Sequence, residues 1–338
     1  MSSNPVVIGA LGHRWGVALR NAALSSGSAT DIWADRVQSI EPQASHNTTK
    51  YYELGNVAPI GATSDPTQVR VTLEENLHNS EIDMFLAGVN PTSGSGYYAA
   101  NMLGQTNTAY VLQRNDSDTI IAEIGVGGLK VSEVQYRFVN NGSCTVQYTL
   151  EGTSGSYYTS NFVHNTWGPQ DFTSPGGIHG KDARISFGTP GAGTKAYRLQ
   201  SFTIRIAYPT QVVRELGTRQ IVGILNDTPD ITVDFDMDAA DYQPHDVFFG
   251  TSSDGGATKY NLTDPQTVDV FINVYDPSLA EGASVVKSFR IDNCRPSTNS
   301  PVNARVRQLA TERWTLMSIS ADQVGTGGLT VSKTEILS

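Results

Sequence analysis

The stretch RVQSIEPQASHNTTKYYELG, residues 36–55, returns in altered form as RLQSFTIRIAYPTQVVRELG, residues 198–217. Both open on Arg-x-Gln-Ser and close on Glu-Leu-Gly: Glu53, Leu54 and Gly55 in the first, Glu215, Leu216 and Gly217 in the second. The offset of 162 residues holds without a gap to Gly88 and Gly250. Gln38/Gln200, Ser39/Ser201, Thr48/Thr210, Gly61/Gly223, Asp65/Asp227 and Val71/Val233 match along the way. Solenoid repeats run roughly 20–50 residues, so this longer spacing points to duplicated domains.

The repeated unit has a readable shape. TQVRVTLEE (67–75) and DITVDFDMD (230–238) alternate apolar and polar residues, the period of a half-buried strand. Val69, Val71 and Leu73 face one way, matched by Ile231, Val233, Phe235 and Met237. Turn signals, SDPT and NDTP, precede the two strands. Short helices are expected next, over SEIDMFLAG (80–88) and QPHDVFFG (243–250). Ser80 suits the first cap, Pro244 the first turn of the second helix, and Gly88 and Gly250 the stops.

Strands dominate elsewhere: TAYVLQR, TIIAEIG, VQYRFV, CTVQYTLEG, TVDVFINVY, VVKSFRID and ERWTLMSIS, divided by Gly/Ser/Thr loops. The expected fold is mainly β: two tandem, similar β-sandwich or barrel domains, each with a short flanking α-helix. The domains are placed at 1–165 and 166–338, with a junction at about 165–195. The Gly- and Pro-rich FTSPGGIHGKDARISFGTPGAGTK (172–195) marks it. A shorter echo, GVGGLKVS (125–132) against GTGGLTVS (325–332), falls out of register with the main repeat.

Composition narrows the function. The 338 residues carry a formal charge of -10, spread over both halves: 14 acidic against 8 basic residues in 1–165, 19 against 15 in the remainder. An acidic chain without Lys/Arg clusters argues against tight duplex binding, which needs phosphates neutralised. No apolar run approaches the roughly 18–20 residues that span a bilayer, and the N-terminal residues do not read as a signal peptide. Cys144 and Cys294 show neither metal-ligand spacing nor a disulfide framework, as expected of separate thiols made in a reducing cytosol.

Sequence motifs for chemistry fail. GTPGAGTK (188–195) approaches a phosphate-binding loop, but Thr194 precedes Lys195 and a strand pattern follows. There is no Gly-x-Ser-x-Gly elbow and no His-Glu-x-x-His. No enzyme activity, cofactor or metal is expected. The sharper signal is Asp234, Asp236 and Asp238 on one face of a single strand, with Glu74 on the matching face of the first copy. Three readings compete: a solvated face, a negatively charged aqueous passage, or calcium. For calcium, EF-hand spacing would need Gly and Glu where Ala239 and His245 stand.

The order of extended strand, Glu-Leu-Gly, turn with Asp-Pro or Thr-Pro, alternating strand and short helix resembles the major tail tube protein of long-tailed bacteriophages. The resemblance covers about 36–88 and 198–250 and departs from the usual pattern by carrying two tube domains. It implies a structural virion protein, synthesised in the host cytoplasm and placed in the virion tail. Three chains would supply six ring positions, and rings would stack into a tube that conducts the genome from capsid to host. Implied partners are the chain itself, a tape-measure protein, and tail terminator and tip proteins. Double-stranded DNA passes in transit, not tightly bound, and no membrane is involved. Asp234, Asp236, Asp238 and Glu74 become candidate lumen-lining charges, repelling phosphates. The alternative from a different class is a two-domain β-sandwich that binds carbohydrate or a surface, using the aromatics of GSGYY and GSYYT.

Overall fold

The computed structural model describes residues 15–24, 31–34, 36–45, 48–51, 58–59, 61–64, 68–78, 81–117, 119–164, 177–188, 194–195, 199–215, 221–238, 247–249, 251–254, 257–260, 265–279, 284–303, 311–319 and 328–334. The first half contributes β1 (Trp15–Asn21), β2 (Ile32–Trp33), β3 (Val37–Ser45), β4 (Thr48–Tyr51), β5 (Gly61–Ser64) and β6 (Gln68–Asn76). Helix α1 (Glu81–Leu86) follows, then β7 (Gly96–Tyr98), β8 (Asn107–Arg114), β9 (Ile120–Val139), β10 (Thr145–Gly152) and β11 (Ser154–Tyr158). The second half contributes β12 (Ala183–Phe187), β13 (Thr194–Lys195), β14 (Leu199–Ala207), β15 (Thr210–Arg214), β16 (Ile221–Asn226) and β17 (Asp230–Asp238). After these come β18 (Thr251–Asp254), β19 (Ala257–Tyr260), β20 (Val268–Tyr275), β21 (Val285–Asn303), β22 (Thr311–Ser318) and β23 (Leu329–Ser332). The chain is mainly β.

The two halves pair their strands in the same order. In the first, β2, β1, β8, β9, β10, β6 and β3 are successive neighbours. In the second, β13, β12, β20, β21, β22, β17 and β14 take those places, again all antiparallel. Register repeats as well. Val37 faces Glu75 and Ile40 faces Leu73, with a bulge between Val37 and Ser39. At the same 162-residue spacing Leu199 faces Met237 and Phe202 faces Phe235, with a bulge between Leu199 and Ser201.

The stretches TIIAEIG and VQYRFV, read as separate strands, are one strand of 20 residues, β9. Its counterpart β21 runs for 19. A Gly pair reads as a turn in sequence; here it bends a strand whose pairing continues. Gly128 has φ 64° and Asn293, at the matching place, φ 51°. Only Gly, or a residue tolerant of the left-handed region such as Asn, fits there. At Gly128 a Cβ would also stand 2.2 Å from Thr153 Oγ1. Beyond each bend a serine bulges out and donates to the neighbouring strand: Ser132 to the Thr149 carbonyl and Ser297 to the Thr315 carbonyl, both at 3.1 Å. The bend lets one strand pair with β8 or β20 at its start and with β10 or β22 at its end.

The out-of-register echo has a local cause. Gly128 and Gly328 both take positive φ, and each directly precedes a Leu-x-Val segment of strand whose Leu and Val are buried.

Alternation places the core. Val69, Val71 and Leu73 turn inward beside Val17 and Leu19, and Ile231, Val233 and Phe235 do the same in the second half. Trp314 is fully buried, with ring centres 6.1 Å from Phe235, 5.3 Å from Phe248 and 5.7 Å from Phe249. The same cluster extends from one half into the other. Both cysteines are buried free thiols, and burial pushes the Cys144 thiol up to about 12.

Two expectations change in detail. The Gly- and Pro-rich stretch 172–195 is not only a connector, because β12 and β13 lie within it and join the second half's sheet. The first helix spans Glu81–Leu86; of the second, residues 247–249 are helical, while Ser80, Pro244 and Gly250 fall outside the described residues. The Glu-Leu-Gly signature also lies outside them at Glu53, Leu54, Gly55, Leu216 and Gly217. Glu215 is described, exposed at the end of β15.

Candidate functional site

No gap separates the sheets of the two halves. Strand β14 pairs along the second part of β9, from Ser201 against Val139 to Ala207 against Glu133. One antiparallel sheet therefore runs β3-β6-β10-β9-β14-β17-β22-β21, eight strands from both halves. Because side chains alternate across a strand, one face of this sheet is buried and the other polar. The polar face of β9 carries Glu133, Gln135 and Arg137, and that of β14 carries Ser201, Thr203 and Arg205. A groove of about 580 Å³ crosses it, and Glu74, Gln135, Arg137, Asp234, Asp236 and Arg313 are among its lining residues.

The structure thus brings Glu74, Asp234 and Asp236 together, each with a hydrogen-bond partner. Asp236 receives Arg313 Nε at 2.9 Å and Ser201 Oγ at 2.9 Å. Asp234 accepts from Thr315 Oγ1 at 2.5 Å. Glu74 accepts a long 3.5 Å bond from Ser39. Arg205 meets Glu133 through two nitrogens, each at 2.9 Å, across the β9–β14 junction. Arg70 meets Glu151 at 3.0 Å. The face carries three ion pairs among Thr, Ser and Gln, with Asp234 and Glu74 bonded to hydroxyls. Asp238 sits on β17 opposite Thr311; its side chain is outside the described set.

Electrostatics follow from the pairing. Burial works to raise the Asp236 carboxyl, but the bonds from Arg313 and Ser201 outweigh it and hold the group below the ordinary 3.8. The bonds to carboxylates hold Arg313 and Arg205 above the usual arginine value. A carboxylate depressed in the folded state stabilises above its unfolded value and loses that contribution as pH falls through the folded one. Asp236→Asn should therefore cost at most about 1 kcal/mol at neutral pH, since the pair is partly solvated. Urea unfolding at several pH values should show the gap closing below 3.8. A gap that persists unchanged into acid would mean that the Asp236 charge does not contribute.

A second polar cluster lies inside the junction, and no sequence motif announced it. Lys287 of β21 and Asp83 of α1 are both 0 % exposed and form an ion pair. The Tyr148 hydroxyl lies within hydrogen-bond reach of Asp83 and, at 3.2 Å, of Glu75, and its one proton serves the two carboxyls between them. The Lys287 ammonium lies 4.7 Å from the Tyr136 ring centre and 5.5 Å from that of Phe289. Burial pushes Lys287 well below the usual lysine range, with Glu75 pulling it back. Lys287 stands in phase with Val285, Phe289 and Ile291, and Glu75 with Val71 and Leu73. A charge on the apolar phase of a strand is the signal that marks such a pair.

The outer edges of the eight-strand sheet differ from the strands at its centre. Among the described residues β3 pairs with β6 alone, and Arg295–Asn303 of β21 pair with β22 alone. Both edges contain proline, Pro42 in β3 and Pro296 and Pro301 in β21. The joined strands β9 and β14 have none. Proline offers no N–H and is characteristic of sheet edges. Of the aromatics in GSGYY and GSYYT, Tyr97 is buried, Tyr98 is 43 % exposed and Tyr157 is 64 % exposed.

No protein-family model matches the chain, and no curated protein matches it. Among solved structures it is similar to a chain of the anti-feeding prophage baseplate, at 12% identity and a TM-score of 0.33, covering 48% of this chain and 100% of that one. It is also similar to a chain of the anti-feeding prophage tube-terminating cap, at 12% identity and a TM-score of 0.32, covering 52% and 100%. A chain of the phage p2 baseplate matches at 9% identity and a TM-score of 0.26, covering 89% and 97%.

Proposed function

We propose that this chain is a structural protein of a phage-type tail that assembles with copies of itself into rings around a polar lumen. Each half is one tube-like unit, and three chains supply six positions. The observation that carries the proposal is the β9–β14 junction beside the open edges β3 and β21. The second half meets the first through its β14, the counterpart of β3. A second copy can offer β3 to β21 in the same manner, and repeating a head-to-tail contact closes a ring when the rotation allows. Closure removes exposed sheet edges, which otherwise invite uncontrolled pairing.

In this arrangement the eight-strand sheet turns its polar face to the channel, and Glu74, Asp234 and Asp236 become lumen residues. A face without an apolar stripe, on which Arg70, Arg205 and Arg313 are engaged by carboxylates, gives duplex DNA few places to release counterions. The role is mechanical: rings stack along a tape-measure protein between tip and terminator, and the genome passes through. The carbohydrate- or surface-binding alternative has the exposed Tyr98 and Tyr157 in its favour and requires a lasting monomer.

The test is the mass and shape of the assembled protein. Native mass measurement and negative-stain imaging should give hollow rings of three chains with six lobes. Rings of six full-length chains would refute the stoichiometry, and a monomer under every condition would refute the proposal.

A further inference from the structure

The β15–β16 hairpin of the second half lies over the rim of the first. Thr210 Oγ1 donates to Glu151 at 2.8 Å, and Asn226 Nδ2 donates to the Val131 carbonyl at 2.7 Å. Val212 and Ile224 share a pocket of about 240 Å³ with Gln68, Val69, Glu151 and Gly152. The β4–β5 hairpin repeats this element in register. Thr48 faces Ser64 as Thr210 faces Asn226, and Tyr51 faces Gly61 as Val213 faces Gly223. Thr48, Lys50, Gly61 and Ala62 are exposed.

The seat repeats too. Arg70 faces Glu151 in the first half as Thr232 faces Met317 in the second, so Met317 stands where Glu151 stands. Met317 is 44 % exposed and Ile319, two residues on, is 51 % exposed. In the first half the corresponding rim is covered by a hairpin; in the second these two aliphatic side chains meet solvent. Charge supplies the remaining observation. Lys50 is the counterpart of Val212, and the exposed Asp230 is the counterpart of Gln68, which shares Val212's pocket.

We infer that the β4–β5 hairpin of a second copy of this chain docks on the second half's rim, over Met317 and Ile319, with its Lys50 beside Asp230. The inference rests on the ring reading and adds the surface by which one copy recognises the next. The aliphatic stem of Lys50 covers Met317 while its ammonium reaches the carboxylate, as long cationic side chains commonly do. The same act brings β3 to the open edge of β21.

Charge reversal tests this on the full-length protein, followed by sedimentation velocity across a concentration series. Lys50→Glu and Asp230→Lys should each raise the concentration needed for assembly on the order of tenfold, because like charges then face each other across the contact. Combining them should return it to within about threefold of the original, since the pair is restored with its signs exchanged. Met317→Asp should block assembly while circular dichroism and the unfolding midpoint of the monomer stay unchanged. Rings that form equally well with either single reversal would overturn the inference and leave the ring reading standing. A double variant no better than the singles would also overturn it. A wild-type chain that never assembles would sink both.

Discussion

Lys287→Met should destabilise the protein by about 3–5 kcal/mol, the usual cost of leaving one member of a buried ion pair alone. Asp83 is fully buried, and its other partner, Tyr148, is shared with Glu75. Removing the ammonium leaves two carboxylates in one apolar pocket. Pairing Lys287→Met with Asp83→Leu should recover most of the loss, because well-packed apolar groups often replace a buried pair without penalty. Urea unfolding of the two single variants and the double gives the coupling directly. A Lys287→Met protein as stable as the original would mean that the pair contributes nothing to the junction.

The second half arranges the counterpart positions differently, with a buried Glu312 that accepts from Trp314 Nε1 at 3.2 Å. The second half has Met237 where the first has Glu75, and Trp314 where it has Tyr148. The buried pair thus spans the two halves, from Tyr148 and Asp83 on one side to Lys287 on the other.

Phe289→Ala should cost about 3–5 kcal/mol, the range for a large ring removed from a core. Phe289 reaches from β21 into the first half, with ring centres 4.9 Å from Tyr136 and 6.1 Å from Phe138. The loss therefore falls on the packing that couples the halves. Unfolding followed by near-ultraviolet circular dichroism should broaden or split into two transitions, while Ile319→Ala, at an exposed site, should shift the midpoint little. A single sharp transition displaced by less than 1 kcal/mol, the floor set by ordinary core truncations, would place the coupling elsewhere.

Much of the strand content was legible because alternation of period two is a local signal. Val69, Val71 and Leu73 declare an inward face without knowledge of what covers it. The repeat was legible too, since the 162-residue offset that aligns Gln38 with Gln200 also aligns two bulges. What stayed hidden depended on distant residues. Thr315 and Arg313 reach Asp234 and Asp236 from 81 and 77 positions away, so no window around the acidic strand reveals its partners. Strand β12 was masked by the Gly and Pro on either side of ARISF. The bend at Gly128 reads as a chain reversal because a glycine pair favours one, yet the neighbours on both sides keep the strand in place. Lys287 required noticing one residue out of character with its phase.

Pro42, Pro296 and Pro301 bear on timing rather than stability. Each withholds one N–H along the open edges, so a chance collision between two such edges gathers fewer backbone bonds than β9 and β14 share. If the chain assembles through these edges as proposed, a pair joined by one such contact would be short-lived. Closing the ring would satisfy both edges of every chain at once and so hold better than any open pair. On the ring reading, assembly of the purified chain should therefore rise steeply with concentration rather than build up gradually through pairs.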